Sequence, residues 1–327
     1  MTNSIQTKYG IINGISTCDF YENGQIKEFA LDTYNEISTE FGILAAQYND
    51  SNLRKKFTKS LSFYKNGSLK SIALNEQTKI KTPAGIFPAE LLVFYESGAI
   101  KRLFPLNGKI TGYWSEEDEY ELAPILFLNL SFGKIKTKVI SIYFYETGEI
   151  KGITLWPKDQ LKVLTPAGLV TVRIGITFYP DGSIKSMEPN IPVSVNTPIG
   201  KLEAFNSSAI GIHGDSNSLC FSSNGRLKSL MTSTDKVIVR DNTGKVISYE
   251  PSLKPNMFDL GKMELHPLNI EFFDNKVRFE NIHEHEIENC SFQISQSSAI
   301  LGVSGCGDCS SCNSCSPVSG KAFYKSN

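Results

Sequence analysis

Cys306, Cys309, Cys312 and Cys315 form a Cys-x-x-Cys-x-x-Cys-x-x-Cys run near the end of a 327-residue chain. The chain has seven cysteines, so more than half of its thiols lie in this one stretch. Thiolates are soft ligands, and four so close together point to an iron–sulfur cluster, to zinc or to another thiophilic metal. Paired thiols also support dithiol–disulfide or persulfide chemistry. No helix or βαβ pattern follows the run to depress a thiol pKa, so the metal reading leads. A tail with no chemical role, or one modified by a partner enzyme, is the remaining alternative. The flanking residues from Gly305 to Gly320 are rich in Gly and Ser, a composition that argues against independent packing.

The run resembles the ferredoxin-type start Cys-x-x-Cys-x-x-Cys. A ferredoxin run continues with three residues, a fourth cysteine and a proline. Here the last gap is two residues, and Pro317 follows Ser316. A short arc that holds three thiolates has difficulty turning back to supply a fourth. The glycines and serines of the run ease that turn. Otherwise the fourth ligand comes from elsewhere, and Cys290 is the nearest candidate in sequence. The resemblance implies one cluster at most. Four thiolates also suit tetrahedral zinc, although the loop that separates two zinc knuckles is missing.

His283 and His285 precede Cys290 among Glu284, Glu286 and Glu288. Two histidines at i and i+2 of a strand share a face, which permits a common metal. The plain alternative is a polar strand end. His213, near Asp215, reads as a turn residue. No phosphate-binding loop, nucleophile elbow or HExxH motif occurs, so the sequence leans away from an enzyme.

The elements that position these residues are repeats. The octet Phe-Tyr-x-x-Gly-x-Ile-Lys begins at Phe20, Phe63, Phe94, Phe144 and Phe178, with a weaker copy at Phe221. A degenerate copy, Phe272 to Arg278, lacks the glycine and is one residue shorter. A turn residue followed by glycine, between alternating apolar and polar positions, predicts a β-hairpin. Period two places Phe20, Ile26 and their equivalents on the core face. Tyr21, Lys27 and their equivalents then face solvent or a neighbouring unit. Glycine corners precede the octets at Tyr9-Gly10, Phe41-Gly42, Phe132-Gly133 and Gly261-Lys262, and as Thr-Pro-x-Gly at Thr82, Thr165 and Thr197. Seven units start near residues 9, 41, 82, 132, 165, 197 and 259, a spacing typical of repeat arrays.

Two insertions interrupt the pattern. Ala45 to Leu61 carries Arg54, Lys55, Lys56 and Lys59; Tyr113 to Leu122 carries Glu116, Glu117, Asp118, Glu119 and Glu121. Both read as solvated loops or short helices, or as partner-binding protrusions. Lys27, Lys70, Lys101, Lys151, Lys185 and Lys228 recur at one octet position, with Arg278 a candidate seventh. Stacked units would align them in a basic stripe beside the octet tyrosines. That stripe reads either as a phosphate- or anion-binding surface or as the solvated face of the hairpins. Glu22, Glu96, Glu146, Glu149 and Asp181 would partly neutralise it.

The octet resembles the core of the MORN-repeat family, in the variant found in bacterial antitoxin-like proteins. That resemblance covers about six octets and implies stacked hairpins in an elongated twisted sheet. It also implies a scaffold or binding role more than an enzymatic one. The expected fold is therefore all-β, an array of about seven hairpin units over residues 1–289, followed by a Cys-rich tail over residues 290–327.

Net charge is −1, which gives no global field toward nucleic acid or an anionic membrane, and a protein partner is expected. No apolar run approaches the roughly 18–20 residues of a membrane helix, and the polar N-terminus lacks a signal-peptide core. A cytoplasmic setting follows. The leading functional expectation is a non-catalytic scaffold whose tail binds an iron–sulfur cluster or another soft metal and hands metal, sulfur or electrons to a partner. The alternatives are an interaction module of antitoxin or adaptor type with an incidental tail, and a thiol–disulfide redox protein.

Overall fold

The structure is a computed structural model, and it describes residues 4–49, 59–108, 115–209, 217–256 and 261–298. The described chain is all-β apart from one α-helix and one 3₁₀ turn. Each octet sits at the tip of an antiparallel hairpin. The pairs are Ile15–Phe20 with Ile26–Leu31, Leu61–Phe63 with Leu69–Thr82, and Gly85–Phe94 with Ile100–Phe104. Gly133–Phe144 pairs with Ile150–Leu155, Gly168–Phe178 with Ile184–Pro189, and Leu219–Phe221 with Leu227–Thr232. Leu268–Phe272 with Lys276–Phe279 completes the series. The hairpins join edge to edge into one antiparallel meander. Its outer strands are Ile15–Phe20 and His283–Glu286; each pairs on one side, so the sheet is open.

The turn chemistry explains the hairpin. In the first octet Gly24 N–H donates to the Tyr21 carbonyl at 2.9 Å, and Tyr21 N–H to the Gln25 carbonyl at 2.7 Å. Gly24 sits at φ +79°, where a Cβ would be strained. A register shift follows in each of the first six octets. Phe20 opposes Ile26, but Asp19 opposes Glu28, which leaves Lys27 as an extra, unpaired residue. Lys70, Lys101, Lys151, Lys185 and Lys228 occupy the same β-bulge. The shortened seventh octet has no shift: Phe272 opposes Val277 and Glu271 opposes Arg278. Arg278 therefore holds an in-register position, a correction to its reading as a seventh ladder cation.

The glycine corners form a second row of hairpins. In five of them a threonine Oγ1 donates to the carbonyl of the glycine three residues on, at 2.6–2.9 Å: Thr7, Thr39, Thr82, Thr165 and Thr197. The first five corners pack on the octet hairpin of the following unit. Tyr9 meets Phe63 at 6.3 Å between centroids, Phe41 meets Phe94 at 5.9 Å, and Phe132 meets Phe178 at 6.2 Å. Where the third corner has Ala84 in place of an aromatic, Phe87 takes over and meets Phe144 at 6.5 Å. One hydrophobic cluster runs from Ile12 to Phe279 between the two rows.

This one-unit offset decides which octet phenylalanines are buried. Phe63, Phe94, Phe144, Phe178 and Phe221 are 1–3% exposed. Phe20 has no preceding corner and is 55% exposed, against the expectation that all octet phenylalanines share the core face. Cys290–Gln296 is a strand paired along its length with Asp235–Asp241, because Phe292 and Ile294 alternate with polar residues and pack on the core. The array thus extends beyond residue 289.

Candidate functional site

The four-cysteine run lies outside the described residues, as do His213, Asp215 and Arg54, Lys55 and Lys56 of the first insertion. Cys290 is half-buried at the start of the last strand, opposite Asp241. Burial pushes its thiol pKa up, and the carboxylates of Asp241 and Glu286 push it further. The reactive and metal-binding form is the thiolate, so this setting disfavours it.

His283 and His285 share a face, as their spacing requires. Both rings lie against Tyr249, at 5.7 and 5.6 Å between centroids. Tyr249 stacks on Phe279 at 4.2 Å, and its hydroxyl lies 2.7 Å from His285 Nε2. Among the described residues no three His, Cys, Asp or Glu side chains converge in a group able to hold a metal ion. Burial lowers the His285 pKa, and the neighbouring His283 adds to the effect. A histidine depressed in the folded state takes up protons on unfolding below its ordinary value of about 6.5, so its contribution to stability fades as pH falls through that value. His285→Gln should therefore flatten the acid limb of a melting-temperature profile between about pH 5 and 7, as read by circular dichroism.

The tyrosine–lysine ladder is the most regular arrangement on the molecule. Each octet tyrosine reaches into the next hairpin and donates its hydroxyl to a phenylalanine carbonyl. The pairs are Tyr21 to Phe63, Tyr64 to Phe94, Tyr95 to Phe144, Tyr145 to Phe178 and Tyr179 to Phe221, all at 2.7–2.9 Å. Burial raises the Tyr64, Tyr95 and Tyr145 pKa values, which keeps these hydroxyls protonated as donors. Above its own tyrosine ring sits the bulge lysine: Lys70 at 5.9 Å, Lys101 at 5.5 Å, Lys151 at 5.4 Å and Lys185 at 5.8 Å. Such contacts contribute about 0.5–1 kcal/mol at exposed sites. None of the six bulge lysines forms an ion pair among the described residues. Nearby turn carboxylates are engaged elsewhere, Asp181 with Ser183 and Glu149 with Thr147. Tyr95→Phe removes one inter-unit hydrogen bond and should cost about 1 kcal/mol in urea unfolding, with the m-value unchanged.

Arg278 differs from these lysines. It bonds Glu271 at 3.1 Å and Glu284 at 2.5 Å, so its charge is spent within the sheet.

The acidic insertion folds in part as the helix Glu116–Leu122, capped by a Ser115–Asp118 box. Tyr120 anchors it edge-on to Trp156 at 5.8 Å, and Lys138 Nζ reaches the Tyr120 carbonyl at 2.7 Å. Glu119 is 3% exposed, whereas Glu116, Glu117, Asp118 and Glu121 face solvent.

A buried carboxylate escaped sequence reasoning. Glu188 is 1% exposed and accepts from Ser218 N–H at 2.9 Å, Ser218 Oγ at 2.6 Å and Asn206 N–H at 3.3 Å. Burial raises its pKa against these donors and the Arg173 guanidinium. The arrangement is that of a satisfied structural carboxylate that ties two strands and two loops together.

The bulges also went unread, although the sequence carries their signal. Core residues flank the lysines at a spacing of three where a regular strand has two: Ile26 and Phe29, Leu69 and Ile72, Ile100 and Leu103, Ile150 and Ile153. In the seventh octet the spacing is two, Val277 and Phe279.

No family model, no curated protein and no solved structure matches this chain. No helix among the described residues is long and apolar enough to cross a membrane.

Proposed function

We propose that the chain is a non-catalytic, MORN-like β-repeat scaffold whose C-terminal run, Cys306, Cys309, Cys312 and Cys315, binds an iron–sulfur cluster or another thiophilic metal, with Cys290 in reserve. The observation that carries this reading is the cysteine spacing itself. The donor set is all thiolate, which fits iron–sulfur ligation first and zinc second. The strand Cys290–Gln296, paired with Asp235–Asp241, supports it further. It ties the chain to the array ten residues before Cys306, so a cluster held there stays within about 36 Å of the sheet. Bound metal would supply electrons, sulfur or the metal itself to a protein partner in the cytoplasm.

Truncation before residue 300 tests the division of labour. The shortened protein should keep its circular dichroism spectrum and melting temperature and lose its iron and sulfide. Unchanged metal content after truncation contradicts the reading. The bulge lysines, which form no ion pair among the described residues, favour a second reading, an interaction module of antitoxin or adaptor type. It predicts that the same truncation leaves partner binding intact.

A further inference from the structure

We propose that the tyrosine–lysine ladder is the docking surface for an extended acidic segment of a protein partner, one that places a carboxylate at every third residue. This surface is distinct in its residues from the cysteine run, and its binding does not depend on metal there.

Each unit contributes two strands to the meander, and strands lie about 4.8 Å apart, so successive bulge lysines recur at about 9.6 Å. A polyproline II segment rises about 3.1 Å per residue and completes a turn in three, so it presents one face every 9.3 Å or so. The two repeats match over several rungs.

The cations are available for that role. A bulge residue has no cross-strand partner, so its side chain is not needed to complete the sheet. The tyrosine beneath Lys70, Lys101, Lys151 and Lys185 is pinned by its hydroxyl bond, which holds the ring and orders the ammonium above it. Mid-stripe the site becomes denser. Tyr143 has Arg102 over its ring at 5.6 Å and Lys151 at 4.5 Å, and Lys151 Nζ lies 3.3 Å from its hydroxyl. Arg102 also lies over Phe104 at 5.5 Å. A planar guanidinium held between rings suits a carboxylate.

Charge selects peptide over nucleic acid. Glu96, Glu146 and Asp181 sit exposed at the turn tips beside the stripe, and the chain carries a net charge of −1. A continuous phosphate backbone would meet those carboxylates, whereas side-chain carboxylates spaced at the rungs would not.

Fluorescence anisotropy with full-length protein and a labelled (Pro-Pro-Glu)6 peptide tests the proposal. Binding should appear at low salt and weaken about tenfold between about 50 and 300 mM NaCl. A peptide of equal charge with glutamate at every fourth residue should bind at least about threefold more weakly, because its carboxylates drift off the rungs. The variant Lys101→Gln/Arg102→Gln/Lys151→Gln should lose at least about tenfold in affinity. The exposed pair Lys70→Gln/Lys185→Gln, which leaves the half-buried centre untouched, should lose about threefold and serves if the triple variant misfolds. Metal content of each variant should equal that of the wild type, which separates this surface from the cysteine run. The proposal is overturned by absence of binding, by equal binding of the two peptides or of the variants, or by a single-stranded oligonucleotide of matched charge that binds more tightly.

Discussion

Phe144→Ala is expected to destabilise the protein by about 3–5 kcal/mol, whereas Phe20→Ala costs less than about 1 kcal/mol. Both residues open the same octet, and a reading of the repeat alone would assign them equal weight. They differ because the corner row is offset by one unit. Phe144 is 1% exposed beneath Phe87 of the preceding corner, and its carbonyl accepts the Tyr95 hydroxyl. Truncation leaves a cavity in a rigid two-row packing that cannot collapse without moving the corner. Phe20 is 55% exposed at the open end, with no corner above it. Urea unfolding of the two variants checks the contrast. Equal losses would mean that the corners do not cover the octets in the order described.

The second large effect comes from a deletion. Removing Lys151 takes out the residue that shifts the register between Tyr143 and Phe144. The strand beyond it holds Ile153, Thr154 and Leu155 between two neighbouring strands. A one-residue slip turns each of these side chains to the opposite face, so Ile153 and Leu155 leave the hydrophobic cluster and the buried Thr154 is turned away from Ser141 into it. Cooperative unfolding should be lost or the melting temperature should fall by more than about 10 °C. Lys151→Gln keeps the residue and loses only the contacts with Tyr143 and Tyr145, so it should stay within about 1 kcal/mol of wild type. A tolerated deletion would show that the bulge is dispensable. The position is therefore structural, while the charge at that position is free to serve binding.

The turns were legible because Asn-Gly and its analogues have one inexpensive backbone solution between alternating strands. The all-β class and the placing of the tyrosines toward solvent or a neighbouring unit followed from the same pattern. The offset between rows was not legible, since it depends on contacts such as Tyr9 with Phe63 that link residues far apart in sequence. The corners carry two related forms in the sequence, a glycine strand start and Thr-Pro-x-Gly. Thr7 and Thr39 make the same hydroxyl-to-carbonyl bond as Thr165 and Thr197, so they are one motif with a variable middle. The last strand was hidden by its neighbourhood, because Cys290–Gln296 lies between a charged stretch and a Gly/Ser-rich one. Of the site, His283 and His285 fall on one face as their spacing requires, while the half-buried position of Cys290 rests on a pairing with Asp235–Asp241 that no local pattern announces.

Under the proposed function the four clustered thiols bind metal while the array serves as their support. Iron, acid-labile sulfide and zinc analysis of full-length protein, purified and reconstituted anaerobically, tests it most directly with Cys309→Ser beside the wild type. The account predicts a brown wild-type protein with stoichiometric iron and sulfide, and a Cys309→Ser variant of unchanged melting temperature that has lost most of both. A colourless wild type that holds zinc without sulfide would contradict the iron–sulfur assignment, and a variant with wild-type metal content would contradict the cysteine run as the site.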